Sequence, residues 1–559
     1  MTSFDCSGSN QMLAAVGQVG TIDYAIIAIY FVLTLGIGFW SARKSPESSR
    51  GFFLAEKSLP WWVVGLTMVA ASISAEQMLG EVAYARDAGL VVSNWDLGVF
   101  PSLALMIFVF LPLYLRAGIA TIPEYLERRY DKTVRLMFAV YTVFNNAFVA
   151  LVMVMALGTK ALEAFLGLPP VYGALALATV TGLYTVYGGM SSVAWTDTFQ
   201  CILLLAGGLL VFAVGLSHVP GGWHGLLERM DHAQSGHLLR GLHDPFVPWP
   251  GLLVLMLSTN VWYCCTNQFY VQSCLGAKDQ RHGRLGILLT AFLAPILTLC
   301  FAFPGYIAND LTRLGILLPL EDANTTYPLL VSRFLGPGFR GFLAAAVLGA
   351  IMSTVSSIVN ATASVYTMDI YKRWQRPRAS DAEMVRTGRL AGFATLLIAT
   401  PLSQLVIDRQ YIFTYSQNVW CVLAIPITLV FILGALWRRA TSRAATATFL
   451  FVLPFVAVPF LFGNTTDNYL RFQLAAHSPV FVIHMFNFAC LLLLAALAFM
   501  LITSLLTSAA DPAAVTPYVW RPALCRPAED LTPCPWYWSV GFWSIVAGFM
   551  FVTIYVIYR

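Results

Sequence analysis

The sequence predicts an all-α, polytopic membrane protein of about fourteen transmembrane helices. Three observations predict it. Of the 559 residues, 58% are hydrophobic and only 11% charged, a balance that ordinary soluble domains do not carry. Apolar runs near twenty residues, the length that crosses a ~30 Å hydrocarbon core, recur along the chain. The basic residues gather in alternate loops between those runs.

The roughly twenty-residue rule places spans at 22–40, 60–80, 90–115, 134–157, 170–187, 197–217, 248–274, 284–306, 339–371, 385–405, 410–437, 443–463, 478–506 and 536–558. Arg43, Lys44, Arg50 and Lys57 follow the first span, and Arg116, Arg128, Arg129, Lys132 and Arg135 the third. Lys278, Arg281 and Arg284 follow the seventh, and Lys372, Arg373, Arg376, Arg378, Arg386 and Arg389 the ninth. Arg438, Arg439 and Arg443 follow the eleventh, and Arg521 and Arg526 the thirteenth. About 23 of the 33 basic residues therefore sit in loops after odd-numbered spans. The positive-inside rule puts those loops in the cytoplasm and both termini outside a plasma or inner membrane. Removing one span would break the alternation. No Lys or Arg precedes Arg43, so the leading apolar stretch does not read as a signal peptide.

The second span holds the stretch that organises the rest, Leu66–Gly80, reading LTMVAASISAEQMLG. Glu76 and Gln77 are costly at membrane depth. The small and hydroxyl residues before them predict a helix that breaks, which a membrane tolerates only inside protein or beside a watery cavity. Glu76 itself reads as a cap for the restarted helix. A second such stretch, STNVWYCCTNQ, lies at Ser258–Gln268. Two interrupted helices in corresponding places point to the central site of a transporter.

Other classes are poorly supported. The chain has no HExxH, Walker or GxSxG motif, and no basic run that would take nucleic acid. The ten cysteines lack metal or redox spacing, and Cys264 and Cys265 are helical neighbours whose side chains point apart, so they read as packing residues. Residues 218–247 hold five of the eight histidines. Their spacing matches no ligand motif, so this reads as a solvated outer loop with a short surface helix. Residues 307–338 read as another outer loop. Residues 507–535 carry six prolines and read as an extended inner segment.

The remaining polar groups at membrane depth are few: Asp96, Asp197, Asn260, Tyr263, Ser353, Thr354, Ser356, Ser357, Gln417 and Asn418. A lone Ser or Thr there often bonds only to its own backbone. Four hydroxyls in five positions are less ordinary, and Ser353, Ser356 and Ser357 share one helical face. Hydroxyls with carbonyls freed by a broken helix suit a hard cation such as sodium. Gln77, Asp96, Asn260 and Gln417 would each serve as a tie between helices. As a set of amides with one carboxylate they also suit a polyol, and Tyr263 offers a ring face to a sugar.

The runs SLPWWVVGLTMVAASISAEQ, TIPEYLERRY, VYGGMSSVAWTD, CTNQFYVQSCLGAKD and TASVYTMDIYKR together resemble the sodium–solute symporter family, closest to its sodium–glucose cotransporter branch. The likeness runs from about residue 50 to 440. It implies a LeuT-type inverted repeat of five helices plus five in a single transporter domain, 1–559. A leading helix at 22–40 would precede repeat one at 60–217 and repeat two at 248–437. Additional helices would fill 443–558, with the inner loop at 507–535. The resemblance implies a main sodium site at Ala70, Ile73, Ala350, Ser353 and Thr354, and a second at Asp197, Ser353, Ser356 and Ser357. It places Gln77, Asn260 and Gln417 on the sugar and makes Tyr263 an inner gate. Asp96 stands where the family's sugar transporters carry Glu, and Ser72 where they carry Asn. A sugar-contacting Lys is replaced by Ala294, and a further Asn is replaced near Ala150. The implied function is sodium-driven symport of a sugar or a polyol such as inositol. The alternatives are a sodium symporter for an organic anion, amino acid or vitamin, and a sensor on the same fold.

Overall fold

The computed structural model describes residues 20–43, 48–74, 76–232, 235–319, 323–406, 412–462, 468–472, 481–525 and 535–559. The first residues of the 410–437 and 478–506 spans, the end of 443–463, and Arg526 with Pro527 and Pro533 lie outside the described residues. Among the described residues, nine helices are long and apolar enough to cross a membrane. Trp61–Ser72 and Ser442–Ala457 are shorter apolar helices. The chain is thus an all-α, multi-pass membrane protein.

Burial separates the bundle's middle from its rim. The most apolar stretch of Phe339–Gln375 is 94% buried, against 28% for Thr21–Ala42 and 11% for Val540–Ile557. The first sits at the core and the other two present apolar faces outward. Pro170–Ser217 packs along Phe339–Val365. At 48 residues an unbroken helix would run ~70 Å, over twice the hydrocarbon thickness. Gly189 breaks it with φ 60° and ψ −155°, a left-handed position that glycine adopts without penalty. The two sequence-predicted spans, 170–187 and 197–217, lie on either side.

The first broken helix is held by close backbone contact. A Cβ on Gly65 would lie 2.7 Å from the Gly286 carbonyl, and one on Gly286 would lie 2.7 Å from Val64. Small residues let membrane helices approach this closely, so Trp61–Ser72 rests directly on Gln280–Cys300.

Two loops differ from expectation. The 218–247 loop does carry a helix, Gly222–His232, but it is not simply solvated. Leu226, Met230, Leu238 and Val247 are buried. The Leu90 N–H donates to Ser235 O at 2.7 Å and Asn94 Nδ2 to Leu238 O at 2.8 Å. Histidines drew attention to this loop, whereas its apolar residues fix where it packs. Nor is the 507–525 segment extended: it forms short helical turns at Pro512–Val515, Thr516–Tyr518 and Pro522–Cys525. Prolines occupy their first turns, where the missing N–H costs nothing.

Candidate functional site

The first helix breaks at Ile73, whose φ −106° and ψ 119° are extended. It restarts as a wide π-helical run, Glu76–Glu81. Ser74 and Gln77 cap the restart: the Glu76 N–H donates to Ser74 Oγ at 3.0 Å, and the Ser74 N–H donates to Gln77 Oε1 at 2.9 Å. Glu76 is therefore not the cap. Its carboxylate turns sideways and accepts hydrogen bonds from Ser416 and from Gln417 Nε2. Because Gln77 spends its carbonyl on the cap, its amide nitrogen is left for the interior. The second helix breaks at Asn267, with φ −78° and ψ 121°, inside the stretch singled out by sequence.

The break at Ile73 frees a carbonyl that points at the hydroxyl-rich helix. Thr354 Oγ1 lies 3.2 Å from Ile73 O and 3.2 Å from Ala350 O. Ala70 is buried one turn before Ile73. Ser353 Oγ is buried and, like Ser356 and Ser357, faces the Asp197 carboxyl. Asp197 faces the same helix from Pro170–Ser217 and is fully buried. Ser357 Oγ donates to Asp197 Oδ2 at 3.0 Å and Ser356 Oγ to Oδ1 at 3.4 Å. No ion pair of the described residues includes Asp197. A buried carboxylate without a cationic partner is costly, and among the described residues only hydroxyls offset that cost here.

The other sequence-selected residues converge as well. Ser72, Gln77, Asp96, Asn260, Tyr263 and Gln417 line one cavity of about 80 Å³, room for several waters at ~10–15 Å³ each. Trp95 Nε1 donates to Gln417 Oε1 at 2.7 Å. Ser72 Oγ turns back to Val69 O at 2.8 Å, so it has less to offer a ligand. Asn260 Nδ2 and Asp96 Oδ2 are buried and unpartnered. Ala294 lines this cavity too, and among the described residues no Lys or Arg does.

Tyr263 also borders a second cavity, lined by Asn145, Ala150, Asn267 and Thr354 among others, and its hydroxyl donates to Ala71 O at 3.4 Å. The ring therefore stands between the two spaces. Sequence reasoning missed Asn145, Trp262 and Trp420, which line these cavities, and Ser416, which holds Glu76. An Asn at membrane depth was a signal available for Asn145. The tryptophans carried none, being ordinary in membrane helices.

Comparison with known proteins agrees with this geometry. The sequence profile of the sodium:solute symporter family matches residues 52–451. The sodium/glucose cotransporter of Vibrio parahaemolyticus is 34% identical over 457 residues, covering 78% of this chain and 84% of that protein. The sodium/myo-inositol cotransporter 2 of Mus musculus is 30% identical, covering 76% and 67%. A sodium/mannose cotransporter of Bos taurus is 29% identical, covering 77% of each. A solved Na+-coupled sialic acid symporter in a substrate-bound outward-open state superposes with a TM-score of 0.76 at 21% identity, over 88% of this chain and 99% of that one. That likeness shows the shared LeuT-type fold. A helix that breaks beside a hydroxyl-lined carboxylate, inside a chain matched over most of its length, has one reading: this protein belongs to the sodium:solute symporter family.

Proposed function

We propose that this symporter carries a sugar or sugar-like polyol with two sodium ions per cycle, by alternating access. The observation that carries the reading is the juxtaposition at Ile73. Its carbonyl meets Thr354 Oγ1, and its side borders the cavity of amides, rings and one carboxylate. One ion would take Ala70 O, Ile73 O, Ala350 O, Ser353 Oγ and Thr354 Oγ1; the other would take Asp197 with Ser353, Ser356 and Ser357. Carbonyls and hydroxyls are the ligands a hard cation prefers. Gln77, Asp96, Asn260 and Gln417 would bind the solute's hydroxyls, Ser72 would border it, and Tyr263 would stack on it and gate the inner exit. The absence of Lys and Arg from the cavity favours an uncharged solute over an organic anion. Relatives named for glucose, myo-inositol and mannose support the same class.

The chain would divide into a leading helix, 22–40, repeat one, 60–217, repeat two, 248–437, and additional helices, 443–558. Both termini would lie outside, as the alternation of basic loops requires. Sodium arriving from outside would hold the broken helix against Phe339–Val365 and so complete the solute site. Each ion descending a tenfold gradient supplies about 1.4 kcal/mol, and a 100 mV potential adds about 2.3. Two ions supply roughly 7 kcal/mol, enough for a solute gradient near 10⁵ at about 1.4 kcal/mol per decade.

The test is uptake into proteoliposomes of labelled glucose, galactose, mannose, myo-inositol, an amino acid and a sugar acid, with and without an inward sodium gradient. Sodium-driven accumulation of a hexose or inositol is expected. Accumulation of only the amino acid or the acid would overturn the solute class, and binding without accumulation would favour a sensor.

A further inference from the structure

The proposed sodium and solute sites leave the buried acid Glu81 unused. Glu81 ends the π-helical run that Glu76 begins. In a π turn, residues five apart fall in line, so Glu76 and Glu81 project from one face. Glu81 is fully buried, and neither of its carboxyl oxygens meets an N–H or O–H donor from the described residues. What faces it is the carboxyl of Asp96, at hydrogen-bonding range. Asp96 Oδ2 likewise meets no such donor, while Asp96 borders the solute cavity. Asn260 Nδ2, also buried and unpartnered, lines that cavity.

Among the described residues no cation is ion-paired with these two acids; Lys160, on Leu151–Leu166 packed against the run, is in no ion pair with them. Glu76 acts on Glu81 from the same run, and the Cys300 thiol lies near Asp96 on Gln280–Cys300. Ile412–Leu436 turns Ser416 and Gln417 to Glu76 rather than to Glu81. Thr326–Phe334 packs against the run and carries Tyr327, whose buried hydroxyl is unpartnered. No ion pair of the described residues includes Glu76, Glu81 or Asp96. No group of three or more His, Cys, Asp or Glu among the described residues is placed to hold a metal ion. Ionised carboxylates only accept hydrogen bonds. Two of them meeting in a dry interior need a proton between them, as like charges at such range cannot both ionise.

We propose that Glu81 and Asp96 share one proton, forming a proton site separate from the sodium ligands. The shared proton keeps the pair at a single negative charge. It also leaves Asp96 an acceptor for a solute hydroxyl, beside the Asn260 amide donor. Glu81 is a positioning residue that acts through Asp96. The inference rests on the proposed solute site for its effect on uptake, but not for the proton itself.

Infrared difference spectroscopy of the purified protein at pH 7 tests the proton without any solute. Glu81→Gln keeps a hydrogen-bond donor beside an ionised Asp96. It should abolish one carboxylic C=O stretch that shifts in D2O. Asp96→Asn should abolish the same band, which keeps the test usable if one variant fails to fold. A spectrum unchanged by either substitution overturns the proposal. In the uptake arm, sodium-driven accumulation of glucose or myo-inositol by the wild type should fall with rising pH, by up to about tenfold per unit once the proton is lost. Glu81→Gln should flatten that profile. An equally steep profile in the variant overturns the role assigned to Glu81. Absence of uptake of either probe by the wild type at any pH tells against the solute class alone, because the infrared result stands apart from it.

Discussion

Ser357 donates a hydrogen bond to Asp197 across 3.0 Å, joining the most buried helix of the bundle to Pro170–Ser217. Among the described residues the carboxylate meets only hydroxyls, those of Ser353, Ser356 and Ser357. This arrangement gains more from a cation than from another neutral donor. Asp197→Ala is expected to weaken sodium dependence and lower the Hill slope for sodium towards one. Sodium titrations of uptake in proteoliposomes check this, and an unchanged slope would count against a second ion.

Asn260 and Gln77 separate solute binding from folding. Asn260 Nδ2 makes no hydrogen bond among the described residues, so Asn260→Ala should abolish uptake with little change in thermal stability. Gln77 also closes the helix restart through Ser74. Gln77→Ala should therefore lose uptake and additionally cost about 1 kcal/mol, the usual worth of a cap. If both variants transport normally, the solute lies elsewhere.

These residues also mark how far the sequence could be read. The broken first helix was legible because Ser72, Ser74, Glu76 and Gln77 interrupt an apolar run. The hydroxyl face was legible because Ser353, Ser356 and Ser357 recur at helical spacing. Glu76 misled, since its local position suits a cap while its partner, Ser416, lies 340 residues away. The site near Ala150 misled for another reason. Residues Asn145–Ala150 form a π-helical run, which brings positions five apart into line. Asn145 and Ala150 therefore border the same cavity, and an amide is present where ordinary helical spacing finds only alanine. The family motifs carried the residues proposed as sodium ligands, whereas contacts across the bundle had no local signature.

Gly189 offers a test of the fold alone. Its φ of 60° disfavours any side chain, and an added Cβ would lie 2.5 Å from the Phe52 carbonyl. Gly189→Ala should destabilise by about 1–3 kcal/mol from a φ, ψ combination essentially confined to glycine, with a further cost from the clash. Thermal unfolding in detergent measures it; an unchanged midpoint would mean that the kink is not fixed by this residue.

Arg135 anchors a clamp at one end of the bundle, outside the solute site. It donates to Asp369 Oδ1 at 2.8 Å and to Glu127 Oε2 at 2.5 Å, while Arg373 donates to Glu127 Oε1 at 2.5 Å. Thr121 Oγ1 donates to the same Asp369 oxygen at 2.8 Å, while Oδ2 of this buried carboxylate has no partner among the described residues. Breaking a buried pair outright costs about 3–5 kcal/mol; Arg135 keeps Glu127, so Asp369→Ala should destabilise by less than that. Glu127 makes the clamp sensitive to acid. Partial burial pushes its carboxyl up, but the hydrogen bonds from Arg373 and Arg135 outweigh it and hold the group below its usual range. A carboxyl lowered by folding contributes stability above its unfolded value, near 4.3, and loses it as pH falls through the folded value. Glu127→Gln should therefore be less stable than the wild type at pH 7, and the gap should close below about pH 4. Unfolding midpoints of both proteins across that range decide it: a gap independent of pH would mean that the carboxylate charge does not hold the clamp.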